Sequence, residues 1–164
     1  MKHCSEPDDD QPQTPHPTET LVKKTLIAAV LATGIGTAWA QAGPAGLWKT
    51  IDDETKQERS LVRIVEAAGV LSGMIEKIAD PTKQDGKCDK CTDARKDQPI
   101  RGMTILEGVK KNAGEDFWDG GTILDPNNGK VYKVRLTPQD GGKTLQVRGF
   151  IGPFYRNQTW QRVE

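Results

Sequence analysis

Past residue 40 the chain contains no histidine; both of its histidines, His3 and His16, come earlier. Only two serines, Ser60 and Ser72, follow that point. These shortages exclude a Ser-His-Asp or Cys-His catalytic machine there, and a His-based zinc site with it. Acid–base chemistry would fall to carboxylates, Tyr or Lys. Cysteine is scarce too: three in 164 residues, at positions 4, 88 and 91. An excess of one charge is also missing, since 23 Lys and Arg balance 23 Asp and Glu. Residues 1–40 hold three of the basic and five of the acidic residues, so the remainder carries a net charge near +2. No single-sign field points to nucleic acid or to an anionic membrane as partner.

Residues 1–21 are polar, acidic and Pro-rich, with no apolar periodicity, and are expected to be a disordered leader. The character then changes. Lys23 and Lys24 precede an apolar run from Leu26 to about Ala38, which ends in Ala38-Trp39-Ala40. That is the three-part pattern of a secretory signal peptide over 22–40, helical in its apolar part, with cleavage expected after Ala40. The run is short for a membrane span, and Gly34 and Gly36 weaken it as a helix. An acidic leader opposes the positive n-region, so translation is expected to start at Val22. The alternative is a real extension ahead of a membrane-anchoring helix. No cysteine stands at the cleavage point, so no lipid anchor and no stable membrane insertion are expected. The mature chain is expected in the periplasm or outside the cell.

Residues 41–164 read as one domain of strands and tight turns. Leu61 to Val65 and Val70 to Ile78 form a hairpin about Ala67-Ala68-Gly69. Ile100 to Val109 and Phe117 to Leu124 are further extended runs. The segment from Asp125 to Gly129, DPNNG, is a strong turn. Tyr132, Val134 and Leu136 alternate with Lys133 and Arg135, the period of a half-buried strand. Residues 138–142, PQDGG, turn the chain again before Leu145 and Val147, which alternate with Gln146 and Arg148. Gly46 to Ile51 and Phe154 to Val163 complete about eight strands. The expectation is an all-β, antiparallel up-and-down barrel, with a sandwich as the alternative.

The stretch KCDKC, residues 87–91, offers three readings. A structural zinc site wants four soft or imidazole ligands, and only Cys88 and Cys91 are at hand. Asp85, Asp89, Asp93 and Asp97 recur around the pair, but interleaved Lys and Arg residues oppose a cation, so no metal is expected. Redox shuttling wants a βαβ setting, and the sequence has none. An exported, even-numbered pair fits a small structural disulfide that stiffens the connection between the third and fourth strands. Thiol redox chemistry at Cys88 and Cys91 is the alternative. Trp48, Trp118, Tyr132, Arg148 and Trp160 are candidates for a ligand pocket. Against that, such aromatics often serve as core, and Lys133, Arg135 and Arg148 fit a solvated outer face.

Several segments resemble a known family. Residues 46–50 (GLWKT), Gly73 within LSGMI, the CDKC loop leading to residues 98–103 (QPIRGM), and residues 118–126 (WDGGTILDP) are among them. Residues 129–132 (GKVY), 145–150 (LQVRGF) and the closing 159–162 (TWQR) complete the series. Together they are similar to the DUF2147 family, small exported bacterial proteins of unassigned function. The first strand's Gly46-Leu47-Trp48 also resembles the G-x-W of lipocalin-type barrels, with Arg162 placed to stack on Trp48 and close the barrel. The resemblance implies a bacterial, lipocalin-like barrel and brings no activity with it. The expected function is non-enzymatic binding of a small apolar or amphipathic ligand, or of an envelope partner. No cofactor and no nucleic acid are expected.

Overall fold

Eight strands, two short 3-10 segments and their connections make up the described residues. The computed structural model describes residues 43–53 and 55–164. The expected leader and signal peptide lie outside the described residues. The strands are β1 (Gly46–Ile51), β2 (Glu58–Ala67), β3 (Val70–Ile78), β4 (Thr104–Lys111), β5 (Trp118–Asp125), β6 (Lys130–Gln139), β7 (Thr144–Ile151) and β8 (Phe154–Arg162). Each pairs antiparallel with the next, and β8 returns to β1, so the sheet is a closed barrel in sequence order. Closure removes the unpaired edges that a sandwich would have to protect.

Alternation decides which side chains face in. On β6, Val134 and Leu136 are buried while Lys133 is exposed. On β7, Leu145 and Val147 are buried, and on β8 Trp160 is. Opposite them lie Trp48, Val62, Ile64, Leu71 and Val109, all at most 1% exposed. Gly121 shows how tightly β4 and β5 cross. A Cβ there would stand 2.2 Å from the Glu107 carbonyl oxygen and 2.6 Å from Val109, so only glycine fits.

Several boundaries differ from the sequence reading; β2, for example, runs from Glu58 to Ala67 rather than from Leu61 to Val65. β4 starts at Thr104 rather than Ile100, because Met103 N–H donates to the Ile100 carbonyl and closes a turn there. Pro138, expected in the turn, remains in β6 opposite Leu145, and the turn itself is a 3-10 segment at Asp140–Gly142.

The β1–β8 seam is the shortest. Its register pairs are Trp48 with Arg162 and Lys49 with Gln161. Val163 N–H donates to Leu47 O at 2.8 Å and Leu47 N–H to Glu164 O at 3.0 Å, extending the seam only toward the end where the described chain begins. Toward the other end β1 and β8 part, and an Arg156–Asp53 ion pair at 2.8 Å spans the space between them.

Candidate functional site

The up-and-down order places the β1–β2, β3–β4, β5–β6 and β7–β8 connections at one end. A cavity of about 560 Å³ opens among them. Its apolar wall comes from Ile75, Ile78, Ile105, Ile123, Val147 and Trp160. These side chains descend from five different strands: alternation turns Ile123, Val147 and Trp160 inward, and register shifts in β3 and β4 bring Ile78 and Ile105 to the same wall. Polar groups concentrate toward the mouth. Thr50 and Ser60 join hydroxyls at 2.9 Å, and Ser60 N–H donates to Thr50 Oγ1 at 3.1 Å. The Trp160 indole N–H donates to Gln158 Oε1 at 3.2 Å. Tyr132 accepts from Asn128 Nδ2 at 3.0 Å, which ties its ring to the β5–β6 turn. Arg59 and Arg156 also line the space, paired with Asp52 and Asp53. The arrangement suits a ligand with an apolar body and a polar end.

The long β3–β4 connection supplies one wall, through Thr82, Lys83, Asp85, Gly86 and Ile100. It is held by its own bonds. Asp80 caps the 3-10 turn Pro81–Lys83, accepting from Thr82 N–H, and the Thr82 hydroxyl holds the Asp80 carboxyl below its usual value. Cys88 N–H donates to Gln98 O and Ile100 N–H to Gly86 O, both at 2.9 Å, pinching the segment into a loop. Asp93 and Arg95 form a bidentate pair that lowers the Asp93 pKa to about 2. Arg95 also reaches the Thr104 carbonyl on β4.

Cys88 and Cys91 form a disulfide within this loop, with Cα atoms 5.4 Å apart and both residues buried. The Cys88 sulfur lies 3.6 Å from the Pro126 carbonyl oxygen, so the loop rests on the β5–β6 turn. That turn is built by Asp125, whose carboxylate accepts from Asn127 N–H at 3.0 Å and from the Asn128 amide. Replacing both cysteines by alanine is expected to cost about 2 kcal/mol, the loop-entropy value for so small a ring. Urea midpoints would check it, and thiol labelling of both cysteines in unreduced protein would contradict the disulfide.

Of the residues singled out from sequence, Tyr132 and Trp160 line the cavity. Trp48 does not. It is fully buried at the opposite end, its indole donating to Pro44 O at 2.7 Å. Arg162 lies 4.1 Å above the Trp48 ring and donates to the carbonyls of Gly43, Ala45 and Gly142. Burial lowers its guanidinium pKa. The pair therefore plugs the barrel's base. Trp118 is at that end too, under Lys111 at 4.0 Å, and does not enter the cavity. Arg148 is corrected as well: its position is one out of phase with Val147, so it faces outward, bonded to Asn157 at 2.7 Å and stacked 4.6 Å from Tyr155. Lys133 and Arg135 share that outer phase.

Thr50, Ser60, Gly149 and Gln158 were not singled out from sequence. Extending each strand's alternation by one step past Trp48, Val62, Val147 and Trp160 finds all four.

A family model described as an uncharacterized protein conserved in bacteria, DUF2147, matches residues 46–162, the whole barrel from β1 to the end of β8. The chain belongs to this family. Among solved structures, this DUF2147 barrel is similar to protein HP1028 from the human pathogen Helicobacter pylori, described as belonging to the lipocalin family. The two share 21% identity, with a TM-score of 0.63 over 73% of this chain and 82% of that one. At that identity the likeness carries the lipocalin-like fold. No curated protein matches the chain. Among the described residues no helix is long and apolar enough to cross a membrane, and no three metal-ligating side chains gather.

Proposed function

We propose that this DUF2147 protein is an exported, non-enzymatic barrel of the bacterial envelope that holds one small apolar or amphipathic ligand. The cavity carries this reading. Its volume falls in the usual range for small-molecule sites, its wall is apolar, and its polar groups gather at one end. The signal-peptide pattern of residues 22–40 supports export. A non-enzymatic role is supported by how three of the cavity's hydroxyls are engaged: Thr50 and Ser60 bond to each other, and Thr82 is held in the Asp80 cap of its own 3-10 turn.

The thiol-exchange alternative requires a sulfur that an incoming thiolate can reach. Cys88 and Cys91 are 0% and 2% exposed, and the loop carrying them has no α-helix to lower a thiol pKa. Both observations favour a structural disulfide.

Gly149 gives a direct test. A side chain introduced at this position would point into the cavity, where an added Cβ meets Tyr132 at an ordinary 3.5 Å. Gly149→Leu and Gly149→Phe should therefore fold and fill the space in two steps. An environment-sensitive naphthalenesulfonate dye is expected to bind the parent chain, the Leu variant about tenfold more weakly, and the Phe variant hardly at all. Equal dye binding by all three would remove the cavity as the site. Native mass spectrometry of protein purified from the periplasm would then show whether a ligand travels with it.

A further inference from the structure

An apolar tip projects beside the cavity mouth. Gly152 and Pro153 join β7 to β8, with Ile151 paired to Phe154 and Phe150 to Tyr155. Ile151, Phe154 and Tyr155 are 51%, 72% and 60% exposed. Ile151 and Phe154 continue the inward rows of β7 and β8 past the barrel's rim, while Tyr155 lies on the outer face against Phe150, ring centroids 6.3 Å apart. Val131, 45% exposed, adds to that outer face at the start of β6. Because β8 has parted from β1 well before this point, the hairpin extends free of the closing seam.

Cations surround the tip. Lys130 and Lys133 stand on β6, with Lys133 directly opposite Phe150, and Arg148 stacks on Tyr155. The nearest carboxylates are engaged: Asp125 caps its own turn, and Asp53 pairs with Arg156.

We propose that the β7–β8 tip docks reversibly on an anionic phospholipid bilayer. Ile151 and Phe154 enter the boundary between headgroups and acyl chains, Tyr155 sits at headgroup level, and Lys130, Lys133 and Arg148 face the lipid phosphates. Apolar insertion and attraction of basic side chains are the two terms that sum in interfacial binding, and both meet here. The shape favours lipid over protein. The tip is the end of a two-residue hairpin connection and offers three large side chains, where a stable protein interface takes about 20–30 residues a side. This surface does not depend on the cavity being a ligand site, although docking would turn the cavity mouth toward the bilayer.

The test is flotation of the full chain with vesicles of phosphatidylglycerol and phosphatidylethanolamine, and with vesicles of phosphatidylcholine alone. The chain is expected to float with the anionic vesicles and about tenfold more weakly with the zwitterionic ones. Phe154→Ser combined with Tyr155→Ser should lower the anionic affinity at least about tenfold, and Lys133→Glu should weaken it and flatten its salt dependence. These exposed positions should leave the melting temperature nearly unchanged. Dye binding in the cavity, retained by the double variant, would separate loss of docking from loss of the ligand site. The proposal is overturned if the double variant floats as well as the parent. The apolar run from Leu26 to Ala38 is common to all variants, so binding carried there would give that result. Failure of the parent to float with either vesicle overturns it too. So does a parent dimer that the double variant dissolves, since the tip would then bury against a second copy.

Discussion

Gly129→Ala is expected to lower stability by about 2–4 kcal/mol, far more than a surface turn substitution usually does. Two costs combine. Gly129 has a φ of +70°, a conformation that costs an L-residue about 1 kcal/mol or more. A Cβ there would also stand 1.8 Å from the Lys90 carbonyl oxygen and 2.8 Å from Cys91 N, so the disulfide loop must retreat from the β5–β6 turn. Gly114→Ala is the control. Its φ is +80° with nothing within 4 Å of the added carbon, so it should show the conformational cost alone, about 1 kcal/mol. Urea midpoints compare the two. Equal losses would mean that the loop does not rest on Gly129. The retreat should also weaken dye binding, because the same loop brings Asp85, Gly86 and Ile100 to the cavity wall.

Trp48→Ala should cost about 3–5 kcal/mol, the range for emptying a fully buried large aromatic site. For a domain of this size that lowers the melting temperature by roughly 10–20 °C. Arg162→Ala should cost about 2 kcal/mol through the loss of charged hydrogen bonds to three carbonyls and of the cation over the indole. The two losses should not add. A double-mutant cycle is expected to return a coupling of about 1 kcal/mol or more, since each residue is half of one plug. Additive losses would show that Arg162 acts only as a carbonyl ligand and that the stack contributes nothing.

Much of the fold was legible because the barrel repeats one rule. Alternating runs such as Tyr132, Val134 and Leu136 state their inward phase, and turns such as Asp125 to Gly129 state where the chain reverses. Depth along the barrel axis is not written in the alternation. Trp48, Trp118 and Trp160 look alike in sequence, yet only Trp160 reaches the cavity, because register places the others at the base. Arg148 is a different case. Its phase relative to Val147 was readable, and only an inward turn of the polar phase would have made it a pocket residue. The close approaches at Gly121 and Gly129 depend on backbones distant in sequence, so a single chain reveals the glycines without their reason. Net charge failed in another way: a value near +2 averages over the surface and hides the basic side chains that gather about Phe154 and Tyr155.

The short β1–β8 seam has a mechanical consequence. All of its fastening lies at the base, where Trp48, Arg162 and the C-terminal backbone clasp the first strand. The opposite rim is spanned by side chains rather than by a ladder. Parting the two strands further at the lip would therefore cost the Arg156–Asp53 ion pair and no rung of the sheet, whereas parting them at the foot would break the ladder itself. If the cavity holds a ligand as proposed, its girth would be limited first by side chains and only then by backbone.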